Sequence, residues 1–310
     1  MRKEYFDFTG ENDFVFNGII WLPESEPKLV LQLTHGMTEH IGRYENLAQV
    51  LTDAGIVVAG FDLRGHGKNA IGTDCASFGK NGWDMMLKDM NRFHTELEIR
   101  FENYPHFLLG FSLGSFLARD YFSVYEDHNF SGAIIMGTGQ QPKFVLSVIM
   151  GIVEKEIRKV GFDSTNEFIR NLSFGTYNKK FSPNRTTADW LCSDENQLDM
   201  YLADELCKKD ISAGLFWQLL DSMKRTADKS TYNKWNKNMP VLLLSGSSDP
   251  VGDNGKGVAT VEKSMLKAGF TNVKTNIYTY GRHDILHENN LNISQKVCED
   301  IKSWLLNYCG

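Results

Sequence analysis

The sequence lacks most of the features that would place it in several large classes. Its five cysteines (Cys75, Cys192, Cys207, Cys298 and Cys309) are odd in number and scattered, with no C-x-x-C pair. That argues against a disulfide framework and a zinc site, and fits a reducing cytoplasm. Long apolar runs are missing as well. The greasiest stretch, Phe144 to Val153, is interrupted by Ser147 and Gly151, and a bilayer span needs about 20 apolar residues. Met1-Arg2-Lys3-Glu4-Tyr5 turns polar before any apolar core, which reads as no secretory signal. Positive charge is not in excess: 33 Lys+Arg face 39 Asp+Glu, for a net charge of -6. Without a basic stripe, nucleic acid is not an expected partner. Repeats and low-complexity linkers are also absent. With 42% hydrophobic and 23% charged residues, neither disorder nor a collagen-like chain fits.

What is present alternates. Short apolar runs rich in β-branched or aromatic residues recur at Phe14 to Leu22, Lys28 to Thr34, Ile56 to Asp62, His106 to Phe111, Gly132 to Gly137, Val241 to Ser245 and Val273 to Tyr280. Wholly apolar centres such as Val241-Leu242-Leu243-Leu244 suit strands covered on both faces. Between them, Leu113, Phe116, Leu117, Tyr121 and Val124 share one helix face, as do Val297, Ile301, Trp304, Leu305 and Tyr308. Strand and helix in alternation predict an α/β fold with a mainly parallel sheet flanked by helices.

The 310 residues are long for one compact domain and short for two. One interval breaks the rhythm. About 100 residues separate the strand near Gly137 from the one at Val241, whereas a crossover needs about a dozen. Its patterning is helical and amphipathic. The expected division is a core of residues 1–139 and 239–310, with a helical cap inserted at 140–238.

Gly110-Phe111-Ser112-Leu113-Gly114 matches G-x-S-x-G. Chance alone supplies such a match in roughly one protein in ten of this length, so the context decides. A strand leads in and an amphipathic helix leads out, as a strained turn presenting a serine oxygen requires. The flanking glycines let neighbouring backbone approach without a Cβ clash. A weak nucleophile needs a base, and the base an orienting acid. Asp249 follows the strand at Val241 and His283 the strand at Val273, both at carboxyl ends, where ligand-facing loops belong. Asp253 competes as the acid and His287 as the base. Leu113 supplies one backbone donor for an oxyanion, and Met37, turned inward by Gly36, is expected to supply the other.

These segments resemble a known family. His35-Gly-Met-Thr-Glu-His-Ile-Gly-Arg-Tyr44, Asp62-Leu-Arg-Gly-His-Gly67, Ser245-Gly-Ser-Ser-Asp-Pro-Val251 and Gly281-Arg-His-Asp-Ile-Leu286 resemble four ordered motifs of the monoacylglycerol lipase and bacterial lysophospholipase group, the serine-aminopeptidase-like α/β-hydrolases. The similarity runs from about Asn17 to Trp304. It implies a Ser112, Asp249, His283 triad, a Met37 and Leu113 oxyanion hole, and a cap over an acyl pocket. Three residues depart from the pattern: Phe111 stands for a histidine, Ser115 for a glycine and Asn69 for a serine.

Glu39 and Arg43 follow the oxyanion loop, and either orient it through a charge-assisted bond or touch the polar end of a substrate. His287 is placed with them as a pocket residue. His35, His40, His66 and Asp62 lack metal-ligand spacing, so no metal or cofactor is expected. The run Phe144 to Val153 either packs over an acyl pocket or makes transient contact with a membrane surface. Trp190, Trp217, Met150, Met200 and Met223 read as ordinary core.

The expected activity is hydrolysis of monoacyl lipid esters, with a small-molecule lipid or ester as the partner. Ser112 excludes an aspartate-nucleophile mechanism. A serine aminopeptidase, which needs cap carboxylates for the substrate ammonium (Glu154, Glu156, Asp163 and Glu167 are at hand), and a small-ester carboxylesterase are rivals. From another class comes a slow-turnover, hydrolase-derived binding protein, which would acylate and stall in burst kinetics.

Overall fold

The computed structural model describes residues 1–70 and 72–309. Eight strands build its main sheet: β1 (Arg2–Thr9), β2 (Val15–Leu22), β3 (Leu29–Thr34), β4 (Ile56–Phe61), β5 (His106–Phe111), β6 (Phe130–Met136), β7 (Val241–Gly246) and β8 (Val273–Tyr278). They lie in the order β1-β2-β4-β3-β5-β6-β7-β8. From β4 to β8 every pairing is parallel, while β1 and β2 add an antiparallel edge. The sequence pattern predicts seven of the eight. β1 escapes it because its residues are mostly polar and half-exposed, and only Phe8 is buried.

Every residue of β3, β4, β5 and β7 is buried, which is the cost-free place for side chains apolar on both faces. Helices α1 (Glu45–Asp53) and α10 (Ile293–Leu306) cover one face. On the other lie α2 (Gly82–Arg100), α3 (Leu113–Val124) and α9 (Lys256–Lys267). The α3 face is buried as its spacing predicts, except that Val124 at the last turn is 53% exposed.

β3 sits between β4 and β5, so the chain reverses its direction of winding there. Crevices at such a switch point, beyond the carboxyl ends of the strands, are where ligands bind in open α/β sheets. Thr34 pairs with Gly110 at that end. The loop that carries Met37 and the G-x-S-x-G turn are therefore neighbours by topology.

Between β6 and β7 the chain forms α4 (Lys143–Val160), α5 (Glu167–Ser173), α6 (Gly175–Asn178), α7 (Glu195–Ala203) and α8 (Ala213–Thr226). A short parallel bridge, Cys75–Ala76 with Asp210–Ile211, ties this insert to a core loop. Helix α4 is apolar on two sides: Leu146, Met150 and Val153 are buried, while Phe144 and Val148 are 78% and 50% exposed. No helix among the described residues is long and apolar enough to cross a membrane. All five cysteines are unpaired, four of them buried.

Beneath the opposite end of the sheet, His94 and His106 are buried and His128 half-buried. The His94 ring stacks on Phe130 at 3.6 Å, neither of its nitrogens has a hydrogen-bond partner among the described residues, and Glu98 stays 3.7 Å away. Burial disfavours the charged form, taking His94 down to about 3 and His128 to about 4, and lowering His106. In the unfolded chain the same imidazoles titrate near 6.5. Below that pH the unfolded state binds more protons, so stability is complete above about pH 6.5 and falls as pH drops toward 4. Each such histidine steepens the loss by up to about 1.4 kcal/mol per pH unit. Urea unfolding at pH 7 and pH 5 tests this. His94→Leu should lose less stability over the interval than the parent; equal losses would remove His94 from the account.

Candidate active site

Ser112 occupies the turn between β5 and α3, at φ 51 and ψ -116, a backbone region that L-residues adopt only under strain. The flanking glycines permit it. A Cβ on Gly110 would lie 2.3 Å from the Gly114 carbonyl oxygen, and one on Gly114 would lie 2.1 Å from that of Thr34. Ser115 is buried, and its hydroxyl donates to the Ser112 carbonyl at 2.6 Å. The residue that departs from the family pattern thus ties the turn to the first turn of α3. Phe111 packs against the His283 ring, centroids 5.0 Å apart.

The loops after β7 and β8 bring two further side chains to the serine. His283 Nε2 lies 2.8 Å from Ser112 Oγ. Its Nδ1 lies 2.9 Å from Asp249 Oδ1, which also accepts the Val251 amide at 2.8 Å. Asp249 and His283 are fully buried. Burial alone would lower the His283 pKa, but the charge and hydrogen bond of Asp249 outweigh it and hold the imidazole above its ordinary value. A hydroxyl, an imidazole and a carboxylate in series can pass a proton off the oxygen as it attacks. Asp253 is exposed on a turn, and His287 bonds elsewhere, so neither competitor reaches Ser112.

An apolar cavity of about 220 Å³ opens onto Ser112. Met37, Leu113 and Phe116 of the core line it, with Val145, Leu146 and Ile149 of α4, Phe216, Leu219, Leu220 and Met223 of α8, and Trp190. Among the described residues, no carboxylate lines it. Gln141, Ser173, Thr176 and Tyr177 contribute its polar atoms. Burial, with Asp249 nearby, raises the Tyr177 phenol to about 12, which keeps it a neutral donor. Trp190 lies 5.1 Å from the His283 ring, and its carbonyl accepts the His283 amide. Composition reads Trp190 and Met223 as plain core; only the folding of the insert over the sheet brings them to the site.

Glu39, Arg43 and His287 are joined to one another by hydrogen bonds. None of them lines the cavity at Ser112. Glu39 is 2% exposed; it accepts the Gly36 amide at 2.5 Å and the Tyr44 hydroxyl at 2.7 Å, and pairs with Arg43. Arg43 continues to Asp284 at 2.9 Å, and His287 bonds both Asp284 and the Arg43 carbonyl. Burial pushes the Asp284 carboxyl up, but His287 and Arg43 outweigh it and hold it well below the usual range. The network straps the loop of Gly36 and Met37 to the loop that carries His283.

Asp62 accepts the Ile41 and Lys68 amides, and His35 accepts the Leu63 amide; both serve loop geometry. His40, Asp204 and Cys207 gather within 4.8 Å of one another. His40 Nδ1 accepts the Gly42 amide while Nε2 faces Asp204 at 2.9 Å. That tautomer carries its proton on Nε2, where an ion would have to bind.

Residues 25–290 match the family described as serine aminopeptidase, S33. The chain is 24% identical to a monoglyceride lipase of Rattus norvegicus over 288 residues, covering 92% of this chain and 84% of that protein. It is 24% identical to a monoglyceride lipase homolog of Monkeypox virus, covering 97% of each. The fold is similar to that of a thermostable carboxyl esterase from Bacillus coagulans, with a TM-score of 0.87, 24% identity and full coverage of both chains. The chain belongs to the serine aminopeptidase S33 family of α/β-hydrolases, and it is a serine ester hydrolase.

Proposed function

We propose that the protein cleaves esters of single acyl chains, such as monoacylglycerols or lysophospholipids, through Ser112, His283 and Asp249, with residues 140–238 acting as a cap over the acyl chain. The observation that carries this reading is the apolar cavity, roofed by α4 and α8, opening onto the Ser112 oxygen. His283 takes the Ser112 proton as Oγ attacks the ester carbonyl, and Asp249 holds the imidazole tautomer and its charge. The Met37 and Leu113 amides donate to the oxyanion; Leu113 opens α3, where amides lack intrahelical partners. His283 then protonates the leaving alcohol and activates the water that hydrolyses the acyl-enzyme. None of these steps calls on a cofactor. The Glu39, Arg43 and His287 network keeps the oxyanion loop in place, and the polar head meets Tyr177, Thr176 and Gln141 instead.

The absence of a carboxylate from the lining counts against a substrate ammonium, and so against aminopeptidase action. Glu154 is engaged with Trp217, Glu156 with Lys159 and Asn166, and Asp163 with Ser77. Reduced, unpaired cysteines suit the cytoplasm. The outer face of α4, with Phe144, Val148 and Ile152 exposed, suits contact with a lipid surface.

Each CH₂ buried in the cavity contributes about 0.8 kcal/mol, part of which positions the carbonyl over Ser112. Hydrolysis of an acyl series from acetyl to long-chain monoacyl esters, free and in vesicles, tests the reading. We expect kcat/KM to climb with chain length and then level off, with little activity on triacylglycerols. Phe144→Ser should slow turnover of vesicle-borne substrate and leave soluble short esters alone. Preference for acetyl esters, or faster cleavage of aminoacyl amides, would overturn it.

A further inference from the structure

The α3 helix carries a side chain that nucleophile chemistry does not use and that ordinary packing does not explain. Arg119, two turns beyond Ser112, is fully buried, yet none of its hydrogen-bond partners is a carboxylate. Its Nη1 donates to the Gly139 carbonyl at 3.0 Å and to Thr138 Oγ1 at 3.2 Å. Its Nη2 donates to the Thr226 carbonyl at 2.9 Å and to the Tyr232 hydroxyl at 3.3 Å. The Nε has no partner among the described residues. Taking a guanidinium out of water without a counter-charge is expensive, so a core that needed only bulk at this position would be served better by methionine or leucine.

The four acceptors share one property. Thr138 and Gly139 form the segment by which the chain leaves β6 for the cap, and Thr226 and Tyr232 lie where it returns from α8 toward β7. The planar fork of arginine spans both crossings, one nitrogen to each, which a point-charge ammonium cannot do. The outgoing crossing also rests on the acid loop. A Cβ on Gly139 would lie 2.4 Å from the Val251 carbonyl oxygen, and Val251 is the residue whose amide holds Asp249. The helix that begins at the nucleophile, the two stems of the cap and the acid loop thus meet around one guanidinium.

We propose that Arg119 is a positioning residue that clamps both stems of the cap to the nucleophile helix, and so sets how the α4 and α8 roof sits over the acyl chain. It touches neither substrate nor the reacting atoms. Its effect is on the part of catalysis that draws on remote acyl contacts, and short esters, which make few of them, are indifferent to it. The specificity part of this proposal rests on the monoacyl-ester reading; the clamp itself does not.

The experiment uses the full chain with Arg119→Met, Arg119→Lys and Tyr232→Phe. It reads amide exchange at residues 138–141 and 226–232, with kcat and KM for a short activated ester and for a long-chain monoacylglycerol. In Arg119→Met, exchange should quicken at both stems. Its kcat/KM on the long substrate should fall about tenfold, chiefly through KM, while the short ester stays within about twofold. Arg119→Lys, which keeps the charge but reaches only one stem, should lie between. Tyr232→Phe should shift both readouts slightly in the same direction, and it decides the matter if Arg119→Met does not fold. Unchanged exchange at the stems, or an equal loss on short and long esters, would overturn the clamp. A parent enzyme with no preference for long chains would instead overturn the monoacyl reading, with the exchange data still deciding Arg119.

Discussion

Ser112→Ala should fold like the parent and lose ester hydrolysis by about four to six powers of ten, together with labelling by serine-directed fluorophosphonate probes. The size follows from interdependence: with no nucleophile, His283 and Asp249 have nothing to activate, and only the oxyanion donors and binding remain. Folding should not suffer, because among the described residues the Ser112 hydroxyl bonds only His283. Alanine also removes no part of the glycine contacts that allow the turn. Asp249→Asn should cost about four powers of ten, since an amide favours the wrong imidazole tautomer, whereas Asp253→Asn, on an exposed turn, should be close to neutral. The pH profile offers an independent check. The base must be neutral to act, and the Asp249 charge raises the His283 pKa. The acid limb of kcat/KM should therefore have its midpoint above 6.5, the ordinary imidazole value. Near-normal turnover in Ser112→Ala, or a limb below 6.5, would break this assignment.

The legibility of this chain differs between its two parts for a physical reason. Strands covered on both faces must be apolar throughout, so β3, β4, β5 and β7 announce themselves, and loops at their carboxyl ends fall at fixed places in the sequence. Ser112, Asp249 and His283 could be named that way, and the structure brings the three within hydrogen-bond reach. β1 pairs at an edge with little burial, which leaves no periodic signal. In the helical interval, amphipathic spacing identifies helices without saying which apolar face meets the core, the cavity or solvent. Helix α4 presents apolar residues to all of them. Trp190 and Met223 are chemically indistinguishable from core residues, and Arg119 resembles any arginine on a helix until its partners are known. The polar residues near Met37 illustrate the converse. Glu39 and Arg43 are close in sequence to the oxyanion loop, and sequence proximity alone cannot separate holding that loop from facing the substrate.

Glu39→Ala separates the two, and a large effect is expected. The Glu39 carboxylate is buried and satisfies the Gly36 amide, the Tyr44 hydroxyl and the Arg43 guanidinium at once. Alanine would leave two donors and part of a buried cation without partners. Breaking a buried pair from one side costs about 3–5 kcal/mol, read as a lowered urea midpoint at unchanged slope. Glu39→Gln keeps an oxygen for Gly36 and Tyr44 but loses the charge facing Arg43, so it should fall between. The kinetic signature decides the role. Gly36 precedes Met37, whose amide is proposed to donate to the oxyanion, and a displaced donor weakens an interaction made only in the transition state. Surviving folded Glu39→Gln enzyme should thus lose about ten- to a hundredfold in kcat with KM nearly unchanged. A glutamate that bound the alcohol portion of the substrate would produce the opposite split, a raised KM at nearly constant kcat. That outcome, with parent-like stability, would return Glu39 to the substrate pocket and require the Gly36 loop to be held by something else.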